Sequence, residues 1–168
     1  MKVLRKITDA FTFELDWIER VQLDELLRRY PLTPPAHHRI ARGTEPGQRS
    51  GDQPLLEEAM AAHQQELREK VQGLLVSGRR FTGDGDKYLL TLQGEEIEWL
   101  LQALNDVRVG CWIQLGCPEE ESQADLDPFT AGYHLLMETA LQFEVFLLQA
   151  LHERDGSTQP DAPADREL

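Results

Sequence analysis

The chain is poor in cysteine: Cys111 and Cys117 are the only two. So few thiols exclude a small scaffold stapled by disulfides, the common solution of short secreted proteins. Long apolar runs are missing as well. The most apolar stretch, residues 139–151, holds Gln142, Glu144 and Gln149 and is shorter than the about 20 residues of a membrane helix. The opening MKVLRKITDA has basic residues but no apolar run behind them, so it does not read as a signal peptide. Cytoplasm is the expected location. Basic residues are scarce: 17 Lys and Arg stand against 30 Asp and Glu, a formal net charge of −13. Asp155, Asp161, Asp165 and Glu167 against Arg166 put −3 of this in the last fourteen residues and −10 in the rest. Such a surface repels phosphate backbones and anionic lipid, which argues against nucleic acid and membrane as partners. Simple solubility is its plainer consequence. No G-x-S-x-G, H-E-x-x-H, P-loop or G-x-G-x-x-G pattern occurs, and Gly83-x-Gly85 reads as a turn. No cofactor is expected.

What is present is mainly helical patterning within one domain of about 150 residues. Val3, Leu4 and Ile7 lead into Thr8-Asp9-Ala10, a candidate turn, and Phe11, Phe13 and Leu15 then alternate with polar residues as a half-buried strand does. Residues 14–30 read as a helix on Leu15, Ile18, Leu26 and Tyr30, stopped by Pro31. Residues 33–53 read as a flexible Pro/Gly-rich loop; Arg39, Arg42 and Arg49 make it the one basic cluster, most simply solvated. From residue 54 to 76 a helix is predicted, with Leu56, Met60, His63, Leu67, Val71 and Leu74 in one stripe and Asp52 as candidate cap. Residues 79–81 and 87–92 flank Gly83-Asp84-Gly85-Asp86 as a second hairpin. Residues 94–115 read as a helix ended by Gly116 and Pro118, its stripe being Ile97, Leu101, Leu104, Arg108, Cys111 and Leu115. After the acidic loop 119–127, Asp127-Pro128 opens a last helix running to about Glu153. That helix is apolar nearly all round, which predicts burial on several sides. Residues 154–168 read as a disordered acidic tail. No internal repeat is visible. The expected fold is mainly α (α+β): about four helices packed as a bundle, with a small antiparallel sheet of two hairpins, four strands at most.

The run Ala103-Leu104-Asn105-Asp106-Val107-Arg108 with Leu115-Gly116 after it, the Thr91-Leu92-Gln93-Gly94-Glu95-Glu96 helix start, the acidic loop and the final apolar helix resemble a bacterial family, the domain of unknown function family two-zero-one-seven. The resemblance covers roughly residues 55–152. That family has no established catalytic residues to carry over. Some of its members are labelled oxidative-stress-linked transcriptional regulators, and some lie near genes for Clp-protease adaptors. The resemblance therefore implies a regulatory or adaptor role. Cys111 and Cys117 match no redox motif of that family.

Asn105, Asp106 and Arg108 form the most specific polar motif, partner-binding or structural. Asn105 and Arg108, three apart, are neighbours on a helix. Arg108, on an apolar stripe, is expected to be at least half buried and bonded to a carboxylate or main-chain carbonyl; a structural arginine is the plainer reading. Cys111 and Cys117 are candidates for a thiol switch, but six helical residues rise about 9 Å, beyond the about 7 Å Cα limit of a disulfide. A buried Cys111 and an inert Cys117 are favoured. His37-His38 and His63 with Glu66 lack the further ligands a metal needs, so no metal is expected. Three functions follow. The first is a non-enzymatic regulatory or adaptor-type interaction protein. The second is a thiol-based oxidative-stress sensor linked to transcription. The third is an enzyme built around Arg108. An unusually apolar last helix predicts a homodimer through it, with a further protein partner compatible.

Overall fold

The computed structural model describes residues 1–7, 9–34, 52–76, 81–118, 127–128 and 130–156. The element order is β1 (Lys2–Ile7), β2 (Ala10–Asp16), α1 (Trp17–Arg29), α2 (Asp52–Val76), β3 (Phe81–Asp84), β4 (Lys87–Gln93), α3 (Gly94–Gln114) and α4 (Thr130–Gly156). The fold is mainly helical with a small antiparallel sheet, α+β in class. The two expected hairpins are not separate: β2 and β4 pair from Ala10↔Gln93 to Asp16↔Lys87. One four-stranded sheet results, in the order β1-β2-β4-β3.

Alternation decides which face of the sheet is covered. Phe11, Phe13 and Leu15 of β2 and Leu90 and Leu92 of β4 are buried, and the residues between them point away. Arg20 of α1 places its guanidinium 4.8 Å from the ring centre of Phe81 and 5.2 Å from that of Tyr88, tying α1 to β3 and β4. Helix α3 is the hub. It touches α1, α2, β4 and, most extensively, α4, through Ile97, Leu100, Ala103, Leu104, Val107 and Cys111.

Each central strand runs straight into a helix, and an acid closes each junction. Asp16 Oδ1 accepts from Glu19 N at 2.8 Å and Glu19 Oε2 from Asp16 N at 2.9 Å, a reciprocal cap. Glu96 Oε2 accepts from Gln93 N at 2.8 Å. The chain is thus two successive strand-strand-helix units, β1-β2-α1 and β3-β4-α3, meeting at β2 and β4. This repeat of form was not visible as a repeat of sequence, because equivalent positions carry unlike residues: Asp16 stands where Gln93 does, Arg20 where Ile97 does.

Several boundaries differ from expectation. The helix predicted from residue 14 starts at Trp17, because β2 continues to Asp16; Ile18, assigned to its core face, is exposed. The strand predicted at 79–81 is β3 at Phe81–Asp84, and 77–80 lie outside the described residues. In α2, Leu67, Val71 and Leu74 are buried, His63 is not, and the buried polar residue is Gln64. Asp127 does cap the last helix, its Oδ1 accepting from Thr130 N at 2.7 Å. That helix extends to Gly156, so residues 154–156 are helical. It is not buried on several sides: Ala140, Phe143, Leu147 and Ala150 are covered, while Leu135, Leu141, Val145 and Leu148 are exposed. Of the loop predicted at 33–53, Thr33 is buried and Asp52 and Gln53 belong to α2. Residues 35–51, with the basic cluster and His37-His38, the acidic loop at 119–126 and the tail from 157 lie outside the described residues.

Candidate functional site

Asn105, Asp106 and Arg108 share one turn of α3, but Asp106 and Arg108 have different partners. At about 100° per residue, Asn105 and Arg108 fall together and Asp106 turns away. Arg108 faces α4. Its Nε lies 3.0 Å from Glu144 Oε2, with the side chains 37% and 10% exposed, and its Nη2 donates to Asn105 Oδ1 at 2.6 Å. Burial raises the Glu144 carboxyl above the ordinary carboxylate range, and the charge and hydrogen bond of Arg108 pull it back. The pair satisfies the one charge within residues 139–151 and fixes α4 to α3.

Asp106 faces the other way, toward the chain after α1. Its Oδ1 accepts from Leu32 N at 2.7 Å and Thr33 N at 3.1 Å, while its carbonyl accepts from Thr33 Oγ1 at 2.9 Å. Gln64 Nε2 donates to the Thr33 carbonyl at 2.8 Å, and Tyr30 donates its hydroxyl to the Gln64 carbonyl at 3.4 Å. Burial and the nearby Asp106 charge push the Tyr30 hydroxyl up to about 12. The Tyr30–Pro31 peptide is cis. Gly110, one turn past Asp106, lets Leu32 press on the helix: a Cβ there would stand 2.6 Å from the Leu32 side chain. Sequence reasoning missed Tyr30, Thr33 and Gln64. Pro31 signalled only that a helix ends, and nothing in the sequence paired residues 33, 64 and 106. This network forms one wall of a cleft of about 200 Å³ that Met60, His63, Gln102 and Asn105 also line, where the His63 ring nitrogen lies 3.1 Å from Gln102 Oε1.

Both cysteines are free. Cys111 is fully buried, and burial pushes its thiol up to about 11, the opposite of an activated thiolate. Cys117 is exposed just past the end of α3. There Gly116 N donates to Ile113 O and Cys117 N to Trp112 O, both at 3.0 Å, the paired closure of a Schellman cap. Gly116 supplies the positive φ of 80° that this closure needs. Glu66, proposed beside His63, pairs instead with Lys70 at 2.8 Å. Among the described residues no three His, Cys, Asp or Glu side chains are grouped to hold a metal.

An apolar surface lies elsewhere. Leu141, Val145 and Leu148 form a crest along α4, exposed by 47%, 44% and 54%. Beside it runs a groove of about 450 Å³ between α1 and α4, lined by Met1, Glu19, Gln22, Gln142, Phe146 and Gln149 among others. Ile18 and Val21 of α1 are about half exposed. Glu19, the one acid in the groove's lining, lies against the Met1 amine and accepts from Asp16 N. Among the described residues no helix is long and apolar enough to cross a membrane. Comparison with family models, with curated proteins and with solved structures finds no match for this chain.

Proposed function

We propose that this protein is a non-enzymatic, regulatory or adaptor-type interaction protein that works through the apolar face formed by α4 and the start of α1. The observation that carries this reading is the crest Leu141–Val145–Leu148 beside an open, nearly charge-free groove. Three large apolar side chains in steps of four and three, on one helix of an otherwise acidic chain, stand about half exposed among the described residues. Contiguous exposed apolar surface of this kind is typical of protein-binding sites. The resemblance to domain of unknown function family two-zero-one-seven points the same way, toward regulation. Arg108, Asn105 and Asp106 serve on this reading as structural residues: Arg108 and Asp106 hold α4 and the chain after α1 in place, and Asn105 Oδ1 accepts from Arg108.

A photoreactive amino acid placed at Leu148 tests the proposal, with one at exposed Glu98 of α3 as control. Discrete cross-linked products at position 148 and none at 98 are expected in cells. No product at 148 would overturn the reading.

A further inference from the structure

We infer that the occupant of the α1–α4 face is a second copy of this chain, with the two α4 helices packed antiparallel about a two-fold axis near Val145. The inference rests on the docking reading above and adds the identity of the partner.

Spacing supports it. Glu138, Leu141, Val145, Leu148 and His152 follow one another in steps of three, four, three and four, the seam of two helices packed side by side. In an antiparallel pair centred on Val145, position 145 meets itself, and Leu141 meets the region of Leu148 and Gln149. Glu138 comes opposite His152. Both are exposed in the single chain, and carboxylate against imidazole gives each end of the seam a complementary polar contact. A two-fold axis requires this: one surface that complements its own rotated copy.

Charge supports it too. A copy carrying −13 repels its twin at long range, so the middle of the face by which two copies meet must lack free acids, with Glu138 confined to its ends opposite His152. Between residues 139 and 151 the one charged side chain is Glu144, turned inward onto Arg108. The groove's polar residues Gln22, Gln142 and Gln149 are uncharged, and its Glu19 is paired. A face selected for a basic partner would keep its acids available instead.

Size is the remaining requirement. Residues 138–152 span about 21 Å of helix, a narrow strip against the about 800 Å² per partner of a stable interface. The groove between α1 and α4, with Met1 and Phe146 in its lining, supplies the additional width.

Light scattering of the full chain through the micromolar range tests the inference. Twice the chain mass of 19.2 kDa is expected. Val145→Glu should weaken association by at least about a hundredfold, because two unpaired carboxylates would face each other in a dry seam, with unchanged circular dichroism. Glu138→Lys should weaken it several-fold, and adding His152→Glu should restore it. A wild-type mass of one chain throughout, while position 148 still cross-links to other proteins, overturns the second copy and leaves the docking reading standing. No cross-link at 148 overturns both. A Val145→Glu protein that stays dimeric, or a charge swap that restores nothing, overturns the antiparallel arrangement.

Discussion

Asp106 and Arg108, two residues apart on α3, hold opposite sides of the molecule: Asp106 takes the main-chain N–H groups of Leu32 and Thr33, and Arg108 takes the Glu144 carboxylate of α4. A single helical turn thus anchors both the segment leaving α1 and the last helix. The two anchors should respond differently to substitution, because one strands uncharged donors and the other a charge.

Asp106→Ala removes the acceptor of two part-buried N–H groups. A loss of about 2–3 kcal/mol in denaturant-induced unfolding is expected, from the desolvation cost of unmet donors. Asp106→Asn keeps an acceptor oxygen and should lose roughly half as much. Equal losses for the two would show that charge, and not the hydrogen bonds, holds Leu32 and Thr33.

Arg108→Ala should cost about 2 kcal/mol at neutral pH, where it leaves the Glu144 carboxylate buried without its partner. The cost depends on pH. Burial already raises the folded-state pKa of Glu144 above its ordinary value, and losing Arg108 raises it further. A raised acid contributes stability below its unfolded pKa and loses it as pH rises through the folded one. The gap between wild type and variant should therefore be small below about pH 4.5 and widen toward neutrality. A gap independent of pH would rule out the ion pair as its source.

Native protein should expose one reactive thiol per chain, Cys117, with Cys111 reacting only on unfolding. Burial and a thiol pKa of about 11 both protect Cys111. Alkylation followed by intact mass, with and without denaturant, reads this directly. Two native-state modifications, or a Cys111–Cys117 disulfide after mild peroxide, would favour the thiol-sensor function.

Gly110→Ala should destabilise by about 1–3 kcal/mol, although alanine is the better helix former. The added methyl would meet the Leu32 side chain at 2.6 Å and its carbonyl carbon at 2.9 Å. A neutral or stabilising result in thermal unfolding would mean that the Leu32 segment gives way without loss.

Local rules made much of the fold legible. Phe11, Phe13 and Leu15 announce a strand by alternation, Asp127-Pro128 announces a helix start, and Leu67, Val71 and Leu74 mark a buried helix face. Competing local signals blurred the rest. Leu15 and Ile18 fit a helical stripe, which hid the Asp16-x-x-Glu19 cap that starts α1. Arg108 was legible as a partly buried arginine, but its partner Glu144 was not, because no pattern links positions 108 and 144. The Asp106 network was invisible for the same reason. It joins Thr33, Gln64 and Asp106, three residues brought together by packing alone.

The meeting of β2 and β4 also bears on how the chain reaches this fold. Each hairpin pairs residues close together in the sequence. The ladder that joins them pairs Phe13 with Leu90, across a loop whose closure costs about 4 kcal/mol of chain entropy in the simple logarithmic treatment. Contacts this distant in sequence are the slow kind for a chain to make. Both Phe13 and Leu90 are fully buried. A chain in which β2 and β4 are unpaired leaves both side chains uncovered and both strand edges open, the kind of surface that favours aggregation.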